Sequence, residues 1–276
     1  MLAPELAAKL DRLQKSLRDM EAILLAYSGG VDSSLLLKVA LLTPVRVLAV
    51  TAASPTYPAR EIDGATRLVR ELGAPHMVIN TTEMDNPSFT ANPPERCYHC
   101  KKELFATLKE LARQHGLKAV VDGANADDSG DFRPGSRAAR EFGVRSPLQE
   151  AGLTKKEIRE LAQSLSLPNW DKPSMACLSS RIPYGQAITP EKLEQVAAAE
   201  AYLQELGLRQ ARVRHHGTMA RLEVNPAAFA LLIEAGIREK LVAYLHKLGF
   251  TYIALDLEGY RSGSMNAVLD ENGHLT

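Results

Sequence analysis

The stretch that most constrains this chain runs over residues 21–42. A short apolar run, Ala22-Ile23-Leu24-Leu25-Ala26-Tyr27, leads into Ser28-Gly29-Gly30-Val31-Asp32-Ser33, and Ser34-Leu35-Leu36-Leu37-Lys38-Val39-Ala40 follows. The run is short and lies against two glycines, which suits a buried parallel strand, whereas the leucine-rich segment is long enough for a helix packed on a sheet. The loop between them therefore sits at a helix N-terminus, where unbonded backbone N–H groups and the positive end of the helix dipole meet. With no Cβ at Gly29 or Gly30 an anion can approach the backbone, so the stretch reads as a phosphate cradle. It differs from a Walker loop, because the chain has no G-x-x-x-x-G-K-[ST] and no lysine placed for a γ-phosphate. Ser28 and Ser33 offer hydroxyl donors instead, and Asp32 offers a carboxylate for the Mg²⁺ that travels with a nucleotide.

The segments around this loop predict an α/β fold. Leu6, Leu10, Leu13, Leu17 and Met20 recur at helical spacing and form an amphipathic packing helix. Strands over 45–51, 76–80 and 118–122, with helices over 60–72 and 97–115, continue a β-α-β-α-β series with right-handed crossovers, a parallel sheet carrying helices on both faces. Residues 81–96 and 169–185 read as irregular, and periodicity also fails over 124–143, where Asp127, Asp128 and Asp131 lie in one loop at the carboxyl end of a predicted strand. Ligands bind at such ends in open α/β sheets. Thr154-Lys155-Lys156-Glu157 is a capping box for a helix to about 165. From Thr189, an N-cap followed by Pro190, the pattern changes to α-β-β-α-β, with a hairpin around Gly217. The predicted division is 1–187 for a nucleotide domain and 188–276 for a small α+β domain serving substrate binding or self-association.

Composition narrows the partners. Lys plus Arg and Asp plus Glu are equal at 33 each, so no overall positive field points to nucleic acid or an anionic membrane. No apolar stretch reaches the roughly 20 residues that span a bilayer, and Glu5, Asp11 and Glu21 among the leucines argue against a signal peptide. The expectation is a cytoplasmic protein handling a small molecule, with homo-oligomerisation through the small domain.

The 3 cysteines form Cys97-Tyr98-His99-Cys100 and a distant Cys177. A C-x-x-C at a helix start lets the dipole stabilise a thiolate, and a third cysteine can complete capture of a soft metal. Three thiolates are one short of the four that hold a [4Fe–4S] cluster, which leaves an iron open to an exogenous ligand such as sulfide. Spacing alone leaves three alternatives standing: a redox dithiol, a zinc site using His99, and inert cysteines. Arg212 and Arg214 alternate onto one face of a strand, and Arg261 follows another, so together they can grip a phosphate or carboxylate. Glu223 and Asp256 are candidates to neutralise them, and a solvated strand face is the plain reading.

The motifs S-G-G-V-D-S (28–33), D-G (122–123), D-F-R-P-G (131–135), S-S-R-I-P-Y-G (179–185), R-V-R (212–214) and L-D-L-E-G-Y-R-S-G (255–263) together resemble the LarE-type ATP-dependent sulfur transferases. These are members of the PP-loop ATP pyrophosphatase superfamily that act in nickel-pincer nucleotide cofactor biosynthesis. The resemblance implies adenylation of the carboxylates of pyridinium-3,5-biscarboxylic acid mononucleotide, with AMP and pyrophosphate released, followed by thiocarboxylate formation. It places ATP on Ser28, Gly29, Gly30, Asp32, Ser33 and Gly123, with Mg²⁺ on Asp32 and, more weakly, Asp127 or Asp131. It assigns substrate anions to Arg181, Arg212, Arg214 and Arg261, and catalytic roles to Asp32, Cys177 and Arg181. One branch of the family gives up the sulfur of a cysteine in the loop before S-S-R. Another holds a [4Fe–4S] cluster on three cysteines, and Cys97, Cys100 and Cys177 resemble that second branch. A PP-loop tRNA thiolase, an amide-forming synthetase and a non-enzymatic nucleotide-binding module are the competing readings.

Overall fold

A computed structural model describes residues 2–130, 134–261, 263–270 and 275. The chain runs α1 (Pro4–Met20), β1 (Ala22–Ala26), α2 (Val31–Leu41), β2 (Arg46–Ala53), α3 (Ala59–Glu71), β3 (His76–Asn80), α4 (Pro87–Thr90), α5 (Arg96–Gln114), β4 (Ala119–Val121), α6 (Pro134–Glu141), α7 (Pro147–Glu150) and α8 (Lys155–Ser164). It continues with α9 (Pro190–Glu205), β5 (Ala211–His216), β6 (Met219–Val224), α10 (Phe229–Ile233), α11 (Ala235–Lys247) and β7 (Tyr252–Leu255). By contact it divides into two units, Met1–Glu83 with Cys97–Met175, and Met84–Arg96 with Ala176–Thr276. The change of sequence pattern at 186–189 falls inside the second unit.

The first unit is a parallel sheet of order β3-β2-β1-β4. Side chains alternate along each strand, so both faces are apolar. Ile23, Leu25, Val47, Ala49 and Val121 pack with α1, α2, α3 and α8 through Leu13, Leu36, Val69 and Leu161. Leu24, Val50 and Val120 face the other way, onto Leu104, Phe105 and Leu108 of α5 and Ala138 of α6. Each fully buried leucine contributes roughly 1.5–3 kcal/mol, so this double-sided burial fixes the sheet and with it the loops at its carboxyl edge. The strand order reverses between β1 and β4, which places a crevice above their carboxyl ends.

Two stretches read as irregular contain helix. Residues 134–141 form α6: Pro134 stands in its first turn, where a missing N–H costs nothing, and Ala138 and Ala139 are buried against α5. Two small apolar residues are too few to register as a helical period. Residues 87–90 form α4, whose N-cap Asn86 accepts from the Ser88 N–H. The capping box at Thr154 and Glu157 is present in both directions. Thr154→Ala is expected to lower stability by about 1 kcal/mol, measurable as a lowered urea midpoint.

In the second unit β5 and β6 pair antiparallel and β6 and β7 pair parallel. Ala199, Leu203, Val213, Leu222, Leu245 and Phe250 form its core. The last helical stretch of the predicted α-β-β-α-β pattern is broken at Glu234 into α10 and α11. Asn92, fully buried in a left-handed conformation, donates its amide to the carbonyls of Ile182, Pro183 and Gln186, and so holds the S-S-R-I-P-Y-G loop from behind. Burial lowers both His215 and His216 below their ordinary pKa of 6.5. Below that pH the unfolded chain takes up protons that the folded unit does not, so stability falls as pH falls through the unfolded value, with no contribution from this pair above it. Wild type is therefore expected to lose more of its melting temperature between pH 7 and about pH 5 than a His215→Gln/His216→Gln variant; equal losses would contradict this.

Candidate functional site

The loop after β1 turns through Gly29 at φ +68°, and Gly30 stands at the N-cap of α2 with no side chain capping the helix. The first turn of α2 thus has no side-chain partner at its N-terminus, the condition for receiving an anion. Ser28 Oγ lies 3.2 Å from Ser33 Oγ, and Ser33 Oγ donates to the Gly30 carbonyl. A Cβ on Gly29 would stand 2.6 Å from the Ala65 Cβ, so α3 closes one side of the loop against any larger residue. A Cβ on Gly123 would stand 3.1 Å from the Ser33 nitrogen, so the β4 loop reaches the same helix start.

That β4 loop also completes the polar surroundings of Asp32. Lys155, the first residue of α8, pairs its ammonium with Asp32 Oδ2, and Asn125 donates to Asp32 Oδ1 at 3.2 Å. Asp127 accepts from the Lys155 backbone N–H at 2.8 Å and so sits at the N-terminus of α8, a second stabilising placement for a carboxylate. Asp131 lies outside the described residues. The sequence reading missed Lys155 and Asn125: Lys155 was visible only as part of a capping box. A cavity of about 470 Å³ opens at the carboxyl ends of β2 and β3, lined in part by Ala53, Ser54, Tyr57, Ile62 and Asn80.

Cys97 and Cys100 lie one turn apart in the first turns of α5, Cys97 exposed and Cys100 half-buried. Cys177 belongs to the second unit, at the start of the short 3₁₀ turn Leu178–Arg181. All three are thiols rather than disulfide partners. Among the described residues no group of three His, Cys, Asp or Glu side chains is arranged to hold a metal ion.

Arg181 is fully buried and binds Glu200 through two parallel bonds of 2.8 and 3.0 Å. Its remaining terminal nitrogen donates to the carbonyls of Ala176 and Cys177 and to Ser180 Oγ. Its guanidinium therefore ties the Cys177 loop to α9. Arg214 bonds Glu223 at 2.6 Å, Ser264 Oγ at 2.9 Å and the Ser180 carbonyl at 2.9 Å, while its buried Nε has no hydrogen-bond partner among the described residues. Arg212 lies beside the Tyr260 ring; burial, then the neighbouring Arg181 charge, pull its guanidinium below its ordinary pKa. Arg221 bonds Glu223 Oε1 at 3.0 Å and lies 3.7 Å from Asp256. Arg261 is exposed and pairs with Glu258. The second unit thus gathers Arg181, Arg212 and Arg214 near Cys177, with Arg261 on its surface.

No family model matches the chain. An uncharacterized protein of Synechocystis sp. is 46% identical over 265 residues, which cover 96% of this chain and 99% of that protein. The pyridinium-3,5-bisthiocarboxylic acid mononucleotide synthase of Lactiplantibacillus plantarum is 40% identical over 266 residues, 96% of each chain. An uncharacterized protein of Methanocaldococcus jannaschii is 30% identical over 257 residues, 92% of this chain and 98% of that protein. With this identity sustained over nearly its full length, the chain belongs to the LarE-type family of the pyridinium-3,5-bisthiocarboxylic acid mononucleotide synthase.

Proposed function

We propose that the chain is an ATP-dependent sulfur transferase that converts the carboxylates of pyridinium-3,5-biscarboxylic acid mononucleotide to thiocarboxylates in nickel-pincer nucleotide cofactor biosynthesis. The observation that carries the nucleotide half of this reading is the uncapped start of α2 beside Gly29, Ser28 and Ser33, with Asp32 and Lys155 at its edge. The family membership carries the choice of substrate.

ATP phosphates lie on the α2 amides and the Ser28 and Ser33 hydroxyls. The cavity at the ends of β2 and β3 has the size for a base. Asp32, with Asp127 as the weaker ligand, would hold Mg²⁺, which would neutralise phosphate charge. Lys155, paired with Asp32 in this structure, would then be free to place its ammonium against the phosphates. A substrate carboxylate oxygen attacks the α-phosphorus, the bond to the bridging oxygen breaks, and pyrophosphate leaves into the cradle; positioning and charge neutralisation carry most of this step. Sulfur then attacks the acyl carbon and AMP departs.

The unpartnered Nε of Arg214 and the adjacent Arg212 suit an anionic group of the substrate, with Arg261 as an outer contact. Arg181 acts by holding the loop that carries Cys177. We assign a [4Fe–4S] cluster to Cys97, Cys100 and Cys177, a reading that the one-turn spacing on α5 supports; these thiolates would hold it, and it would supply an open iron as a sulfide carrier. The second unit serves substrate binding and self-association, and the protein acts in the cytoplasm on a small molecule, without nucleic acid. Among the described residues no helix is long and apolar enough to cross a membrane.

Two assays test the reading. Pyrophosphate release is expected only with ATP, Mg²⁺ and the biscarboxylate together, and about 10²–10³-fold slower in Asp32→Asn; release without the biscarboxylate would contradict it. Anaerobic protein is expected to contain iron and labile sulfide that each of Cys97→Ala, Cys100→Ala and Cys177→Ala loses. An iron-free protein still active once per chain would replace the cluster by Cys177 as the donor.

A further inference from the structure

The carbonyl of Gly29 is gripped from the far side of the loop by a stretch that sequence left without pattern. Asn169 Nδ2 donates to it at 3.2 Å, and Lys172 Nζ donates to the same oxygen, also at 3.2 Å. Both side chains are anchored in turn. Asn169 Nδ2 also reaches Ser34 Oγ at 3.0 Å, which lies 3.2 Å from the Tyr27 hydroxyl, and Lys172 Nζ pairs with Glu61 Oε2 of α3 at 2.8 Å. Asn169 Oδ1 is buried without a hydrogen-bond partner among the described residues. Exchanging the two ends of that amide would set its oxygen against the Gly29 oxygen, so the carbonyl itself fixes the amide's orientation.

A peptide unit is planar and, when trans, its C=O and N–H point in opposite directions. No peptide bond among the described residues is cis. Two donors that hold the Gly29 oxygen toward Asn169 and Lys172 therefore turn the Gly30 N–H the other way. Among the described residues that N–H reaches no acceptor closer than Ser28 Oγ at 3.4 Å. Gly29 needs such a hold, because a glycine at positive φ has more freedom to swing its peptide plane than any other residue.

We propose that Asn169 and Lys172 are positioning residues of the phosphate cradle, which act through the Gly29 carbonyl to aim the Gly30 N–H at a bound phosphate. This rests on the reading of residues 28–33 as the ATP site. It adds a dependence of that site on residues 169–172, five residues ahead of Cys177 at their end.

The test is titration of ¹⁵N-glycine-labelled protein with Mg·ATP, with the Gly30 resonance assigned by its loss in Gly30→Ala. In wild type the Gly30 amide is expected to shift on saturation. Lys172→Met and Asn169→Leu each raise the ATP Kd about tenfold and diminish that shift, while the KM for the carboxylate substrate stays unchanged. Lys172→Arg keeps a donor and stays within about threefold of wild type. Lys172 is partly exposed, so its variant reports even where Asn169→Leu does not fold. ATP binding in Lys172→Met within about twofold of wild type, with the full Gly30 shift, would overturn the proposal. Wild-type protein that binds no ATP would instead overturn the nucleotide-site reading, a result that needs no variant.

Discussion

Gly29→Ala is expected to abolish ATP-dependent pyrophosphate release, with an ATP Kd raised at least about a hundredfold. Two costs coincide at this position. An L-residue at φ +68° costs roughly 1–2 kcal/mol, and the added methyl would stand 2.6 Å from the Ala65 Cβ and 2.9 Å from its Cα, an overpacking worth a further 1–3 kcal/mol or so. The chain relieves both by turning the Gly29 peptide, which also turns the Gly30 N–H and breaks the loop's hold on phosphate. Ala65→Gly in the same chain removes the nearer contact but leaves the other contact and the backbone angle, so it should restore only part of the binding. The check is isothermal titration with Mg·ATP. Wild-type affinity in Gly29→Ala would mean that the loop geometry does not set nucleotide binding.

Arg181→Met is expected to destabilise the second unit by about 3–5 kcal/mol, the usual consequence of leaving one member of a buried ion pair without the other. Neither side chain of the Arg181–Glu200 pair is exposed to solvent. Among the described residues Glu200 then keeps the Val213 N–H at 3.1 Å and the nearby Arg212 charge, and the carbonyls of Ala176 and Cys177 lose their shared donor. Two measurements read the effect: the urea unfolding midpoint falls, and the rate of Cys177 alkylation rises as its loop loosens. Glu200→Gln keeps an acceptor for Arg181 and should cost less. An Arg181→Met protein with unchanged unfolding and unchanged alkylation would contradict the role of Arg181 as the tie of this loop.

The part of the site built from consecutive residues was legible in the sequence. The Ser28–Ser33 loop could be placed because an apolar strand, two glycines and a leucine-rich helix adjoin it; Glu223 was a candidate partner for the strand arginines, and it bonds Arg214 diagonally although the register sets it opposite Arg212. What could not be read depends on distant contacts. Lys155 meets Asp32 only because α8 packs beside α2, and in sequence it looked like the second position of a cap. Asn169 and Lys172 lie in a proline-rich stretch with no period, since their order comes from the Gly29 carbonyl rather than from a helix or strand. Arg181 carries the same lesson: its motif marks it as a ligand-binding residue, yet Glu200, one helix later, takes its charge. The helix at 134–141 was hidden because Ala138 and Ala139 are its buried residues, too few to show a helical period.

The central claim is transfer of sulfur to an ATP-activated carboxylate, and the most direct measurement is mass spectrometry of the nucleotide after anaerobic incubation with protein, Mg·ATP and a sulfide source. The account predicts replacement of carboxylate oxygen by sulfur, first singly and then twice, with one AMP and one pyrophosphate for each replacement. A nucleotide recovered unchanged while ATP is cleaved, or one carrying nitrogen in place of oxygen, would contradict it.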